Sequence, residues 1–502
     1  MVRADSRHPP STILPPSSIG RSAPPDPDLH PTDHRDAAHV PDTPSPPEYL
    51  RIDALAIEDA LAVSASPGSL LLELRDVDVL EVGNRHPIHA HTKVLAAGPR
   101  ELVERHPASA KARVVNRPDD VLIPGMVNAH CHLDLTHVGP QPFDPERGFD
   151  GFIELVRTRR RTVDEQIAES VRLGIDSCLA SGVVAVGDVA GSAGGWPRLA
   201  PYEELLRSPL WGTSFVEFFA IGRREQEGLE RLEETVEEGV RRIRRRRFSL
   251  GISPHAPTTV SHAAFMRAAE IANRHHLPLM THLAETASER DFIAAGGGPS
   301  RQLLERIGIW DDQVLRSIGK GQSPVEHLRD VLGYGDFIAV HCNGLSDRDI
   351  GILLDTRTPV VFCPRASAYF RTDEEFGEHR YRELLFCGVR LGLGTDSIIN
   401  LWHEGLEGQT DPGRLPGLSI LDEMRLLYRR DALRAMTLLG MVTLDAAMVL
   451  GLDPIHFTFK RNAEIAGVVA VNAQRPGSTR LELAVDRILL AGSRPELLLI
   501  GK

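Results

Sequence analysis

Between Val121 and Leu452 the chain alternates short, strongly apolar runs with longer stretches of helix-like composition, and this alternation limits the fold more than any other feature. Apolar runs of strand length bounded by turn residues and separated by helical stretches are the mark of repeated βα units, whose strands are buried on both faces of a parallel sheet. Eight such runs occur, at Val121–Asn128, Val183–Val189, Ser214–Ala220, Ser249–Ser253, Leu277–Leu283, Phe337–Cys342, Pro359–Cys363 and Val389–Gly394. Eight parallel strands close naturally into a (β/α)8 TIM-type barrel. The stretch Gly296–Gly335 is rich in Gly and Pro and too long for a simple βα loop, so it reads as an insertion near the site.

The flanks read differently. Short apolar runs at Ser69–Leu74, Val77–Val82 and Ala112–Val115, and again at Ile465–Val471, Glu482–Val485 and Arg487–Leu490, predict a small composite β-sandwich built from residues 48–120 and 453–502, around a barrel spanning 121–452. Met1–Pro47 is crowded with Pro, Ser, Asp and His and has too little apolar content to offset the entropy of ordering, which makes it a disordered tail. His8, His30, His34 and His39 fall in that tail and read as incidental.

With 42% apolar and 25% charged residues in 502, the composition is that of an ordinary globular protein. A net charge of −12 argues against nucleic acid as a partner, because phosphate backbones require a clustered positive field. The one basic run, Arg241, Arg242, Arg244, Arg245, Arg246 and Arg247, follows the acidic stretch Glu225–Glu238 and reads as the cationic end of a solvated helix. The five cysteines, Cys131, Cys178, Cys342, Cys363 and Cys387, include no C-x-x-C pair, so neither a thiolate zinc site nor a disulfide framework is indicated. No run has the length of a membrane span, and the N-terminus lacks the pattern of a secretory signal. The expectation is a cytoplasmic enzyme acting on a small molecule, with no membrane or nucleic-acid partner and compatible with a homo-oligomer.

The residues that carry chemistry begin at the end of the first apolar run, where Ile123 to Asp134 reads I-P-G-M-V-N-A-H-C-H-L-D. On a strand, His130 and His132 point the same way and their nitrogens can converge on one ion. The spacing alone is weak: His89-Ala90-His91 has it too, with no partner pattern around it, and reads as structural or surface. Further donors follow at later strand ends, where barrel enzymes place their catalytic groups. His282 and Glu285 lie in T-H-L-A-E, His341 in A-V-H-C, and Asp396 in L-G-T-D-S. Singly, His282 or His341 also reads as a buried, hydrogen-bonded histidine, and Asp396 as a helix cap; four strand ends in this order point to a metal centre.

The ordered set P-G-x-V-N-x-H-x-H, S-P-H-A-P, H-L-A-E, H-C, C-P-R and L-G-T-D-S resembles that of the amidohydrolase superfamily, in its deaminase and chlorohydrolase branch, from about Tyr49 onward. The resemblance implies one divalent metal, zinc by default with iron suiting the same donors, held by His130, His132, His282 and Asp396. His341 would lie close to the metal and its water, and His255 in Ser253-Pro254-His255-Ala256-Pro257 would face the substrate. Binuclear relatives usually carry a lysine on the fourth strand, and Ser249–His255 has none, so one metal is expected. C-P-R is followed here by Ala366-Ser367 rather than Ser-Asn, a departure that touches the pocket.

Such an ion lowers the pKa of bound water toward neutrality and so supplies a nucleophile. Glu285 is placed to shuttle protons to a ring nitrogen and the departing amine, and Asp396 and His341 to manage the water proton. The stretch around Thr136, with Phe149, Phe152 and Val156 beyond it, resembles that of aminodeoxyfutalosine deaminases of menaquinone biosynthesis, although the same apolar positions equally describe a packed amphipathic helix. Thr136, His255 and Glu285 are therefore the expected substrate contacts. The expected reaction is deamination of an adenine-type nucleoside: aminodeoxyfutalosine, adenosine, methylthioadenosine or S-adenosylhomocysteine. The rivals are dechlorination or deamination of another heteroaromatic ring, such as a triazine or guanine, and an inactive barrel serving as a binding scaffold.

Overall fold

In the computed structural model, the described residues are 46–502 apart from 62, 83–84, 243–246, 404–405, 407–415 and 475–483. The tail expected over residues 1–47 thus lies almost wholly outside them.

Eight strands, Met126–Cys131, Val183–Ala190, Trp211–Phe218, Phe248–Pro254, Leu279–Leu283, Phe337–His341, Val360–Phe362 and Leu391–Leu393, form one sheet in sequence order. Neighbours pair in parallel throughout. The ring closes where the first strand meets the segment beyond the last: the amides of Thr395 and Asp396 donate to the His130 carbonyl at 3.0 and 3.1 Å. Every residue of the first three strands is buried, as continuous apolar runs between two layers require. The (β/α)8 barrel expected from the alternation is what forms.

The first strand differs from its expected span. Val121–Pro124 belongs to another strand, Arg113–Pro124, which pairs with Gly467–Asn472, and the barrel strand starts only at Met126. Gly125 separates the two. A Cβ there would meet Val184 Cγ2 at 2.5 Å, so only glycine lets the chain pass this close while its amide donates to Gly467 O at 2.8 Å. An uninterrupted apolar run hides such a change of sheet.

A seven-stranded sheet joins strands from both ends of the chain, including Glu48–Glu58, Gly68–Val79 and Ile88–Pro99 from one end and Gly467–Asn472 and Pro495–Gly501 from the other. The expected sandwich takes the form of a single sheet rolled on itself, because Glu48–Glu58 also pairs in parallel with Arg113–Pro124. Leu50, Ile52, Leu70, Leu72, Val94, Leu122, Val468 and Leu499 fill its interior. Of the C-terminal runs, Arg487–Leu490 is not a strand. It lies in the helix Ala484–Ala491, whose Val485, Ile488 and Leu489 are buried at helical spacing; residues 482 and 483 fall outside the described ones.

The segment read as an insertion folds into short helices, among them Gly298–Arg306 and Pro324–His327, around a satellite core of Ile221, Phe292, Ile293, Leu304, Val314 and Ile318. The acidic stretch forms the helix Glu225–Arg241, with Arg241 paired to Glu237 at 3.4 Å and Arg242 to Glu238 at 2.5 Å. Arg244, Arg245 and Arg246 lie outside the described residues. No helix among those described is long and apolar enough to cross a membrane. All five cysteines are free, and only Cys387 is exposed.

Candidate metal centre and active site

Four of the eight strand ends converge. His130 lies on the first strand and His132 just beyond its end, His282 comes from the fifth, His341 from the sixth, and Asp396 follows the eighth. All five side chains are buried. His132 Nε2 lies 3.4 Å from His282 Nε2 and 3.4 Å from Asp396 Oδ1, and His130 Nε2 lies 3.7 Å from the same oxygen.

These distances test whether the residues suit a cation. Ligands about 2.1 Å from a tetrahedral ion stand about 3.4 Å apart, so the spacing matches a shared metal. The alternative, direct hydrogen bonding, fails for His130, whose buried Nε2 has no partner. His282 is oriented from behind: its Nδ1 donates to the His255 carbonyl at 2.9 Å, which leaves the Nε2 lone pair facing the cluster. Burial drives the pKa of His132 and of His341 down to about 3 and that of His282 well below its ordinary value. Burial opposes ionisation of Asp396, yet His130, His132 and His341 hold its carboxyl below the usual range. Lowered basicity at His132, His282 and His341 beside an acidified Asp396 favours the deprotonated donors that a divalent metal needs. The donor set fits.

The backbone is bent to make this possible. Ala284, His341, Cys342 and Asp396 have φ of 52°, 69°, 55° and 57°, in the left-handed region that costs a non-glycine residue about 1 kcal/mol or more. Each sits where the chain leaves a strand and must turn sharply to aim a side chain inward.

The model of the amidohydrolase family matches residues 121–455, two thirds of the chain. The chain belongs to the amidohydrolase family. It is 29% identical over 322 residues to an aminodeoxyfutalosine deaminase of Deinococcus radiodurans, covering 61% of this chain and 70% of that one. It is 25% identical over 399 residues to a 5-methylthioadenosine/S-adenosylhomocysteine deaminase of Symbiobacterium thermophilum, covering 77% and 80%. Among solved structures, an adenosine deaminase from Xanthomonas campestris with bound zinc superposes with a TM-score of 0.61 at 20% identity, covering 91% and 94%.

In this amidohydrolase, Glu285 stands beside the cluster with Oε1 3.5 Å from His341 Nε2. Burial, with Asp396 and Glu289 adding negative charge, raises its pKa well above the ordinary value. Its main chain is clamped. The carboxylate of Glu289 accepts the amides of Ala284 and Glu285 at 2.9 and 2.8 Å, and the Asn343 side-chain amide donates to Glu285 O at 3.1 Å. Asn400 donates to Asp396 Oδ2 and fixes that carboxylate from the other side.

His255 joins the site, its ring 5.0 Å from that of His282. Thr136 is not brought to the cluster. Its hydroxyl donates to Leu133 O at 2.8 Å and lies against Gly174, because residues 133–138 coil into a 3-10 turn that faces the helix Asp164–Ala180. Arg365 of the C-P-R string is also turned away, holding Glu423 and donating to Ser419 O at 2.8 Å. Phe149 and Phe152, on the helix Gly148–Arg159, pack against Phe370 at 5.2 and 4.8 Å between rings.

The sequence reading missed a second layer. Glu217, on the third strand, is 1% exposed; Arg160 pairs with it at 3.4 Å and with the buried Asp134 at 2.9 Å. Burial opposes the ionised form of Glu217, but His255, Arg160, His132 and the Ser192 amide together hold its pKa below the ordinary value. A lone glutamate inside the apolar run Ser214-Phe215-Val216-Glu217-Phe218 was the available signal.

Proposed function

We propose that this amidohydrolase binds a single divalent metal, zinc in the first instance, and deaminates an adenine-type nucleoside, with aminodeoxyfutalosine the first candidate and adenosine, methylthioadenosine and S-adenosylhomocysteine next. The observation that carries the reading is the meeting of one cation's donor set with a buried Glu285 3.5 Å from His341. Relatives named as deaminases of such nucleosides support it.

When bound, the cation supplies a Lewis acid that makes water acidic near neutral pH. His130, His132, His282 and Asp396 hold it. Asp396 stands to accept the proton of the attacking water. Glu285 gives its proton to the ring nitrogen as the amino-bearing carbon becomes tetrahedral, then takes the proton of the new hydroxyl as the carbonyl forms, while the proton accepted by Asp396 passes to the amine, which leaves as ammonia. His341 stands against Glu285 and the reacting oxygen, and the raised pKa of Glu285 suits a general acid. The absence of a lysine from the fourth strand supports one metal rather than two.

The test is ammonia release and the ultraviolet change from an adenine to a hypoxanthine ring across a nucleoside panel, using metal-loaded protein. Turnover of at least one adenine nucleoside with kcat/KM of about 10⁴ M⁻¹s⁻¹ or more is expected. Activity confined to halogenated rings, or none on any ring, contradicts the reading.

A further inference from the structure

The layer behind the metal centre is organised around one carboxylate whose two oxygens are treated differently. Glu217 Oε2 accepts the Ser192 amide at 2.9 Å and faces Arg160 Nη1 at 3.4 Å, while Ser192 Oγ donates to the Glu217 carbonyl at 2.6 Å. Among the described residues no hydrogen bond reaches Oε1. Its neighbour is His255 Nε2, at 4.0 Å, too far to bond directly. The His255 ring is held in place by Thr259 Oγ1, 2.7 Å from Nδ1. The Thr259 hydroxyl also has the Ala256 carbonyl at 3.3 Å, but the shorter contact to Nδ1 is the better home for its proton. That assignment leaves Nε2 carrying a hydrogen aimed toward Glu217.

A gap of 4.0 Å between a donor and an acceptor suits one bridging oxygen: two hydrogen bonds of about 2.8 Å span it at an angle of about 90°. A hydroxyl oxygen fits it, accepting from His255 and donating to Glu217. The gap lies beside the metal centre, since donor atoms of Glu217, His255 and His282 fall within 4.8 Å of one another. Arg160 disfavours a second cation here, because its guanidinium already stands against Glu217 and Asp134.

The surroundings are built for this carboxylate. Burying Arg160 with Asp134 and Glu217 carries a desolvation cost that apolar packing would avoid. Space for the guanidinium depends on Gly191, where a Cβ would meet Arg160 Nη2 at 2.3 Å.

We infer that Glu217 and His255 form a clamp for the sugar of the substrate, with Glu217 the specificity-determining acceptor of a ribose hydroxyl and Arg160 the residue that positions it. This deepens the nucleoside reading and rests on it. The clamp selects nucleosides with an intact 2′ or 3′ hydroxyl over free bases and dideoxynucleosides.

The experiment pairs two deletions. Purine riboside, which lacks the amino group and cannot be deaminated, and its 2′,3′-dideoxy counterpart are titrated by calorimetry into metal-loaded wild type and Glu217→Gln, with metal content and thermal melting measured on both proteins. Adenosine turnover by the wild type is followed separately. Wild type is expected to bind the riboside about 10- to 100-fold more tightly than the dideoxy compound, and Glu217→Gln to shrink that preference at least several-fold while keeping its metal. Glu217→Ala serves as a second variant if the glutamine protein melts early. Equal binding of the two compounds by the wild type, or a preference unchanged in the variant, overturns the clamp even if adenosine is turned over. A Glu217-dependent preference with no adenine nucleoside deaminated overturns the reaction and leaves the clamp standing. Neither binding nor turnover removes both.

Discussion

The chain carries two H-x-H pairs on strands, and they meet opposite fates. His89 and His91 lie on Ile88–Pro99, in a sheet where the flanking Gly68–Val79 runs antiparallel and places Asp78 and Arg75 across from them. His91 is about half exposed, 3.9 Å from Asp76, and His89 is half-buried with its pKa lowered to about 4, first by burial and then by Lys502. Neither belongs to a three-donor cluster among the described residues. His130 and His132 have the same spacing, but their strand sits in a parallel barrel, where every strand points its C-terminal end to the same rim. That rim delivers His282, His341 and Asp396 to them. The difference lies in what neighbouring strands bring, and no local pattern contains it.

His130→Ala or His282→Ala should reduce bound metal to a small fraction of wild type and activity by about 10⁴-fold or more, whereas the double change His89→Ala, His91→Ala should leave both unchanged and stability within about 0.5 kcal/mol. Elemental analysis and steady-state kinetics on the same samples check this. Loss of metal from the His89 and His91 variant would erase the distinction.

Glu285→Gln separates holding the metal from moving protons. It should lower kcat by about 10²- to 10⁴-fold with metal content unchanged, measured on any nucleoside the wild type turns over. A fall in metal content instead would make Glu285 a ligand.

A smaller effect concerns the main chain around Glu285. Glu289 is buried, and burial raises its pKa to about 7 from an ordinary 4.5. Between those values the folded protein holds a proton that the unfolded chain has released, so stability falls as pH rises from about 4.5 to 7 and is flat in this contribution above that. The shift corresponds to about 3 kcal/mol. Glu289→Gln should flatten the decline, read as the difference between denaturation midpoints across that window; an identical slope in both proteins would contradict it.

Much of this was legible beforehand, for physical reasons. Strand ends such as Thr281-His282-Leu283 and Gly394-Thr395-Asp396 are legible as an ordered set, although singly the histidine also reads as a buried, hydrogen-bonded residue and the aspartate as a helix cap. The sheet change at Gly125 was not legible, since the apolar run through Val121–Asn128 serves two sheets equally and only the close pass against Val184 reveals the break. A run as short as Arg487–Leu490 fits either period, and only the helical spacing of the buried Val485, Ile488 and Leu489 marks it as part of Ala484–Ala491. Thr136 is an expected contact only through the resemblance of its stretch to aminodeoxyfutalosine deaminases, and the 3-10 turn directs its hydroxyl to Leu133 O instead. Glu217, Arg160 and Asp134 come from three distant segments, and their meeting depends on three dimensions.

Anomalous scattering from crystals of the metal-loaded protein locates the ion. One strong peak is expected at the barrel rim, about 2.0–2.3 Å from nitrogens of His130, His132 and His282 and from a carboxylate oxygen of Asp396. A peak seated instead among Glu217, His255 and His282, two peaks sharing the rim, or none in protein that deaminates a nucleoside would contradict it.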